Sequence, residues 1–357
     1  MLTGLVAHVG EAVGPVEVWS AWSLDPAILL GAATMVALAG CGQRNTGTAG
    51  PPNTALHPAS RRRVWRYRSF VAGVVTVLIA LVSPLDAMSS SLASAHMVQH
   101  LLLVLVAAPL FVVSSPLALM ARGLPSSARR HIRMWRRRPV VRLAARVVDH
   151  PVAVSLLHVL AIWFWHASGP YEAALNSRPV HVVEHGSFLA TALLSWAAIA
   201  ATARRQRVLR RRRVPSHVAM SRDRSPNRTG TGLGVLVLFG LAVQSSILGA
   251  LLTFASGPWY ETFESTTSAW GLTPLADQQL AALIMRVPAG GLYLLGAPTL
   301  LRSWIDPPRQ TWPAAPRANV ERLTGTGAAG AGGADTMAAE SWGSVRRPTT
   351  SGRATSG

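Results

Sequence analysis

The chain has no lysine and a single cysteine, and only 14 % of its 357 residues are charged. Each shortage closes off a class of protein. One cysteine, Cys41, excludes an intramolecular disulfide and any CxxC redox or metal motif, and says nothing about compartment. Scarce charge beside 50 % hydrophobic residues is a balance that a water-soluble fold of this length does not sustain, which points to a bilayer. With lysine absent, all 34 basic residues are arginine and the net charge is +19. Spread over a compact domain, that charge would indicate nucleic acid. Here the arginines stand in blocks between apolar runs, so no nucleic-acid partner is expected.

What the chain does have is seven apolar stretches long enough, or nearly so, to cross the roughly 30 Å hydrocarbon layer. They run from Leu24 to Gly40, Tyr67 to Val82, Leu92 to Val113, Val152 to His166, Val182 to Ala203, Gly232 to Ala255 and Gln278 to Leu301. Backbone groups in lipid must pair within their own segment, so each is predicted to be a helix and the fold an all-α integral membrane bundle of seven transmembrane helices. Arginine-rich short loops stay cytoplasmic. Arg44, Arg61, Arg62, Arg63, Arg66 and Arg68 mark the first connection, RRHIRMWRRR the third and RRQRVLRRRR the fifth. Glu11, Glu17, Asp86, Glu261 and Glu264 mark the N-terminal segment and the even-numbered connections. The alternation places the N-terminus outside and the C-terminus in the cytoplasm, requires an odd number of crossings, and sets the arginine loops against anionic lipids.

Three regions follow: an extracytoplasmic N-terminal segment over 1–23, the transmembrane domain over 24–305, and a tail over 306–357. The tail is Pro, Gly, Ala, Thr and Arg with hardly an aliphatic run, so it is expected to be disordered. LAGC at 38–41 imitates a lipoprotein cleavage site. A secretory signal carries positive charge before its apolar core, whereas here Glu11 and Glu17 precede it and arginines follow.

Ionisable groups inside spans are costly and are functional candidates by default. HMVQH puts His96 and His100 near the outer end of the third span, WFWH puts His166 at the outer end of the fourth, HVVEH opens the fifth with His181, Glu184 and His185, and DQQ opens the seventh with Asp277, Gln278 and Gln279. A spacing of four residues is about 400° of turn and about 6 Å of rise, so each histidine pair lies on one helix face and can share a centre. Five imidazoles and two carboxylates at one depth exceed what a hydrogen-bond network needs, and a metal site is the better explanation. Imidazole and carboxylate alone do not choose between copper and zinc; Met97 and Met285 add soft thioethers in the same helices, where methionine also serves ordinary packing. His158, two turns deeper than His166, is expected to be a hydrogen-bonded bundle residue. Arg286, deep in the last span, needs a partner, for which Gln244 is a candidate. Pro109 and Pro288 should bend their helices.

HVVEH also matches the zinc motif of inverted-motif metalloproteases, but such a protease needs a large α/β domain and a further downstream glutamate, and no such domain exists in this chain. The stretches HMVQHLLLVLVAAPLFVVSSP, WFWHASGPYEAALNSRPVHVVEHGSF and DQQLAALIMRVPAGGLYLL together resemble the seven-helix CtaG family of cytochrome c oxidase assembly factors, first associated with caa-type oxidases. The family is distinct from the single-helix copper chaperone sometimes given the same name. The resemblance covers about residues 24–305. It implies a non-enzymatic, multi-pass protein of a bacterial cell membrane that helps mature the oxidase at the stage of copper delivery, with an oxidase subunit as partner. It carries over His96, Gln99, His100, His166, His181, Glu184, His185 and Asp277 as the family's polar positions. One departure is Arg286, where an aromatic is expected. Beside copper delivery stand a copper transporter, which needs a polar path continuing inward, and a bis-histidine haem protein, with zinc or haem in place of copper.

Overall fold

The computed structural model describes residues 13–44, 58–148, 150–212 and 228–305; the expected tail and most of the expected N-terminal segment lie outside them. Every regular element among the described residues is helical. In chain order these are α1 (Pro26–Arg44), α2 (Pro58–Val82), α3 (Pro84–Ser89), α4 (Ala93–Ser114), α5 (Pro116–Gly123), α6 (Ser126–Trp135), α7 (Pro139–Val148), α8 (Pro151–His166), α9 (Ser168–Asn176), α10 (Arg178–Arg212), α11 (Arg228–Thr253) and α12 (Pro274–Ile305).

Five of them, α1, α2, α4, α10 and α11, are long and apolar enough to cross a membrane, and α8 with α9, meeting at 74°, makes six if that bent pair is one span. By length and apolarity the described residues therefore give five or six of the expected seven crossings, and α12 is not among them. The chain is a multi-pass membrane protein.

Prolines set the breaks. Pro84 stops α2, with Ser83 capping α3 through its hydroxyl. In α4 the segment Leu102–Ala107 is π-helical, and the Ala108 amide donates to the Leu103 carbonyl. In that register the Val104 carbonyl would need the N–H of Pro109, which does not exist. The Trp196 indole of α10 supplies the missing donor at 3.0 Å. The bend expected at Pro109 thus takes the form of a π-turn, while α12 continues through Pro288 without a break. Ser115, at φ 54°, ends α4 in the left-handed region and turns the chain into α5. That short helix lies so close to α1 that a Cβ at Gly42 would stand 2.1 Å from the Leu119 carbonyl oxygen, which only glycine permits.

Three apolar clusters hold the bundle. Phe70 and Val74 of α2 pack on Phe111 of α4 and Leu119 of α5. Val104 of α4, Trp165 of α8, Phe188 of α10 and Leu238 of α11 form the central cluster. Met97 of α4, Tyr171 of α9, Leu252 of α11 and Met285 of α12 form the third, at the end where α4, α10 and α12 begin and α8 and α11 stop. At the opposite end stand α6 and α7. The arginine-rich third connection is therefore helical, and no residue of α6 is buried.

Candidate metal centre

The site end is built from helix termini, whose first amides and last carbonyls lack partners inside their own helices. DQQ answers two of these ends. The buried Asp277 carboxylate accepts from the Ala93 amide at 2.6 Å, from the Ser94 amide at 3.2 Å and from the Ser94 hydroxyl, so it caps the first turn of α4 from another helix. Gln278 donates to the Leu252 carbonyl at 3.1 Å and Gln279 to the Thr253 carbonyl at 3.1 Å, closing the end of α11. Gln278 also accepts from the Trp259 amide at 2.6 Å.

Gln99 has a comparable task. Pro84 cannot donate to the Ala80 carbonyl, and the Gln99 amide does so at 2.7 Å while also donating to Asp86 at 2.8 Å. Asp86 lies in α3, between spans, where burial raises its carboxyl above the usual range and the Gln99 bond partly offsets the shift. Capped by Asp277 and tied to α2 by Gln99, the first two turns of α4 are fixed.

Those turns present His96 and His100 to α10. One ligating atom from each of His96, His100, Glu184 and His185 lies within 4.8 Å of the other three, and all four residues are buried. His96 Nε2 is 3.5 Å from Glu184 Oε2, and His100 Nε2 is 3.5 Å from Glu184 Oε1. These separations exceed a hydrogen bond. Both ring nitrogens of His96 and His100, both oxygens of Glu184, and Nε2 of His185 are buried without hydrogen-bond partners. Orphaned buried polar atoms cost about 1–3 kcal/mol each, and the four that converge, one from each residue, form a donor set that a cation could satisfy. Donors bound at about 2.0–2.1 Å to one tetrahedral ion stand roughly 3.4 Å apart, close to the His–Glu separations here. Three imidazoles and one carboxylate suit zinc or copper(II) and lack the sulfur that favours copper(I).

The remaining sequence-predicted residues fall around this group. His166 Nδ1 lies 2.8 Å from the Ile162 carbonyl, which can only accept, so the proton is on Nδ1 and the unpartnered Nε2 carries a free lone pair. A ligating histidine is fixed in the same manner. Its ring centroid is 6.3 Å from that of His100. His181, one turn before His185, is half-buried, with its Nε2 also unpartnered. Asp277 and Gln278 do not join the four donors, being occupied by the helix ends. Met97 packs with Tyr171, Leu252 and Met285 in the apolar cluster.

Tyr171 was not singled out by sequence reasoning. Its ring stacks on Tyr260 at 3.9 Å and 17° and stands 5.2 Å from the His96 ring. Tyr260 in turn donates to the His166 carbonyl at 3.0 Å. The signal was EAALN, a run of helix formers after Pro170, which makes α9 a helix where a loop was expected. Deeper in the bundle, His158 Nδ1 meets the Thr191 hydroxyl at 2.8 Å, the hydrogen-bonded role expected of it. Arg286 is exposed on α12 with its stem over Gly249. The expected pairing with Gln244 is not made, since Gln244 Oε1 has no hydrogen-bond partner.

No curated protein and no solved structure matches the chain. The profile of the cytochrome c oxidase caa3 assembly factor family, CtaG, matches residues 54–220 and 214–306, well over half of the sequence and every helix that supplies a donor. The likeness carried by HMVQH, WFWH, HVVEH and DQQ is therefore one of descent, and the chain belongs to the cytochrome c oxidase caa3 assembly factor family.

Proposed function

We propose that this protein holds copper at the α4–α10 centre and hands it to a subunit of cytochrome c oxidase, acting as a carrier and not as an enzyme. The observation that carries the reading is the convergence of four buried donors whose ligating atoms have no other partner. Copper is the cargo. His96, His100, Glu184 and His185 would hold it, with His166 and His181 beside them. Delivery needs ligands that exchange, and neutral imidazoles in excess of four supply them.

In the same reading α12 is a seventh crossing and the site end faces outward. The arginines around α6, at the end of α1, at the start of α2 and at the end of α10 then lie in the cytoplasm against anionic lipids. The test is metal analysis of the purified protein and of the oxidase matured beside it, wild type against His100→Ala and His185→Ala. Both variants should accumulate as well as wild type yet leave the oxidase short of copper. An oxidase with full copper content would overturn delivery, zinc in the purified wild type would change the cargo, and a Soret band would move the reading to haem.

A further inference from the structure

The histidines of α4 and α10 form two triangles that share an edge. One consists of His96, His181 and His185, with ring centroids 5.3, 4.2 and 5.7 Å apart. The other consists of His96, His100 and His185, at 4.3, 5.1 and 5.7 Å. Three imidazoles bound through nitrogen at about 2.0–2.1 Å to one tetrahedral ion place their centroids roughly 5 Å apart. Either triangle therefore closes on an ion with small ring movements.

The triangles differ in what lies behind them. Glu184 stands 3.5 Å from His96, which both triangles share, and 3.5 Å from His100, which only the second contains; the donors gathered within 4.8 Å of one another include the carboxylate with His96, His100 and His185 and leave out His181. They differ also in access. His181, at the end of the first turn of α10, is half-buried with its Nε2 covered, whereas His100 and Glu184 are 6 % and 0 % exposed as whole residues.

From this, and resting on the metal reading above, we propose that the centre has two stations: an entry station of His96, His181 and His185, and a holding station of His96, His100, Glu184 and His185. The ion passes between them across the His96–His185 edge, exchanging His181 for His100 and Glu184. Two ligands stay bound throughout, so the ion is never released into the bundle. The carboxylate favours the holding station for a divalent ion, because a buried anion gains most from the extra positive charge. His181 accordingly sets the rate of exchange and contributes little to affinity.

The experiment uses the full chain in detergent, with copper(II) as the probe and a coloured chelator as competitor. Equilibrium competition gives affinity, and stopped-flow mixing gives the rates of loading and removal, for wild type, His181→Ala and His100→Ala. His181→Ala should keep the wild-type affinity within about threefold while both rates fall about tenfold, and His100→Ala should lose affinity by about tenfold or more, the scale on which lost ligand support is felt. Stoichiometry should be one copper per chain, because the stations share ligands. Equal affinity losses in the two variants would make His181 an ordinary ligand of one centre, and unchanged rates in His181→Ala would make it a bystander. Two coppers per chain would separate the stations. Each of these overturns the two-station proposal alone, whereas a wild-type protein that binds no copper overturns the carrier reading as well. Thermal unfolding of His181→Ala, expected at the wild-type temperature because the residue is half-buried, guards against a folding defect.

Discussion

Replacing Asp277 by asparagine should destabilise the protein while leaving its metal affinity almost intact. The carboxylate is wholly buried and accepts from the Ala93 amide, the Ser94 amide and the Ser94 hydroxyl. Asparagine keeps the shape but offers one acceptor oxygen and turns an amide donor towards one of three donors. Hydrogen bonds to a charged group contribute about 1.5–3 kcal/mol, and a side chain at a helix N-terminus about 0.5–2 kcal/mol. Losing one such bond and the charge should cost about 2–4 kcal/mol. Alanine would strand all three donors and cost about 4–6 kcal/mol at roughly 1–3 kcal/mol each, with some recovered by water. The assay pairs unfolding of the detergent-solubilised variant, followed by helical circular dichroism, with copper competition on the fraction that remains folded. A ligand behaves in the opposite way, with affinity falling and stability hardly changed. An Asp277→Asn protein with wild-type stability and a tenfold weaker copper site would refute the cap and restore Asp277 to the ligand set.

Copper retention should fall between about pH 8 and about pH 5.5, because ligating imidazoles must be neutral and protons compete with the ion near the usual histidine value of about 6.5; retention that is flat or rises towards acid would remove histidine ligation. Single cysteines at Glu172 and Glu264, in a background lacking Cys41, should be labelled by an impermeant reagent on intact cells, and cysteines at Arg137 and Arg211 should not. Labelling at Arg211 would invert or break the proposed topology. Arg286→Leu should stabilise the protein in the membrane by about 3 kcal/mol, the difference between arginine and leucine at depth in a spanning helix. A lower unfolding temperature would show that the exposed guanidinium has a partner.

Apolar length and histidine spacing make much of this legible in the sequence. The expected fourth span, Val152 to His166, differs by one residue from α8, because Pro151 and the WFWH stretch mark both its ends. HVVEH and HMVQH give the two faces that meet, since four residues on a helix return to the same side. The roles of DQQ and Gln99 are not legible. Asp277 acts on an amide 184 residues away, and the spare carbonyl that Gln99 fills exists only because Pro84 ends a neighbouring helix. Charge hides the helical character of α6, and Gly169 with Pro170 hides α9, which brings Tyr171 beside His96. Arg286 is the residue that local pattern explains least, and its surroundings explain it no better.

The Asp277 cap also sets a clock on biosynthesis. The ribosome adds about 5–20 residues per second, so the first turn of α4 waits roughly 10–40 s between its own synthesis and the arrival of Asp277, 184 residues later. Through that interval the amides of Ala93 and Ser94 lack their acceptor, and the turn carrying His96 and His100 is not yet pinned. Gln278 and Gln279 close the end of α11 at the same moment. A chain that stalls or is cut before its last helix therefore carries every histidine of the centre but lacks the groups that finish the starts and ends of its neighbouring helices, so the site end is the part of the fold completed last.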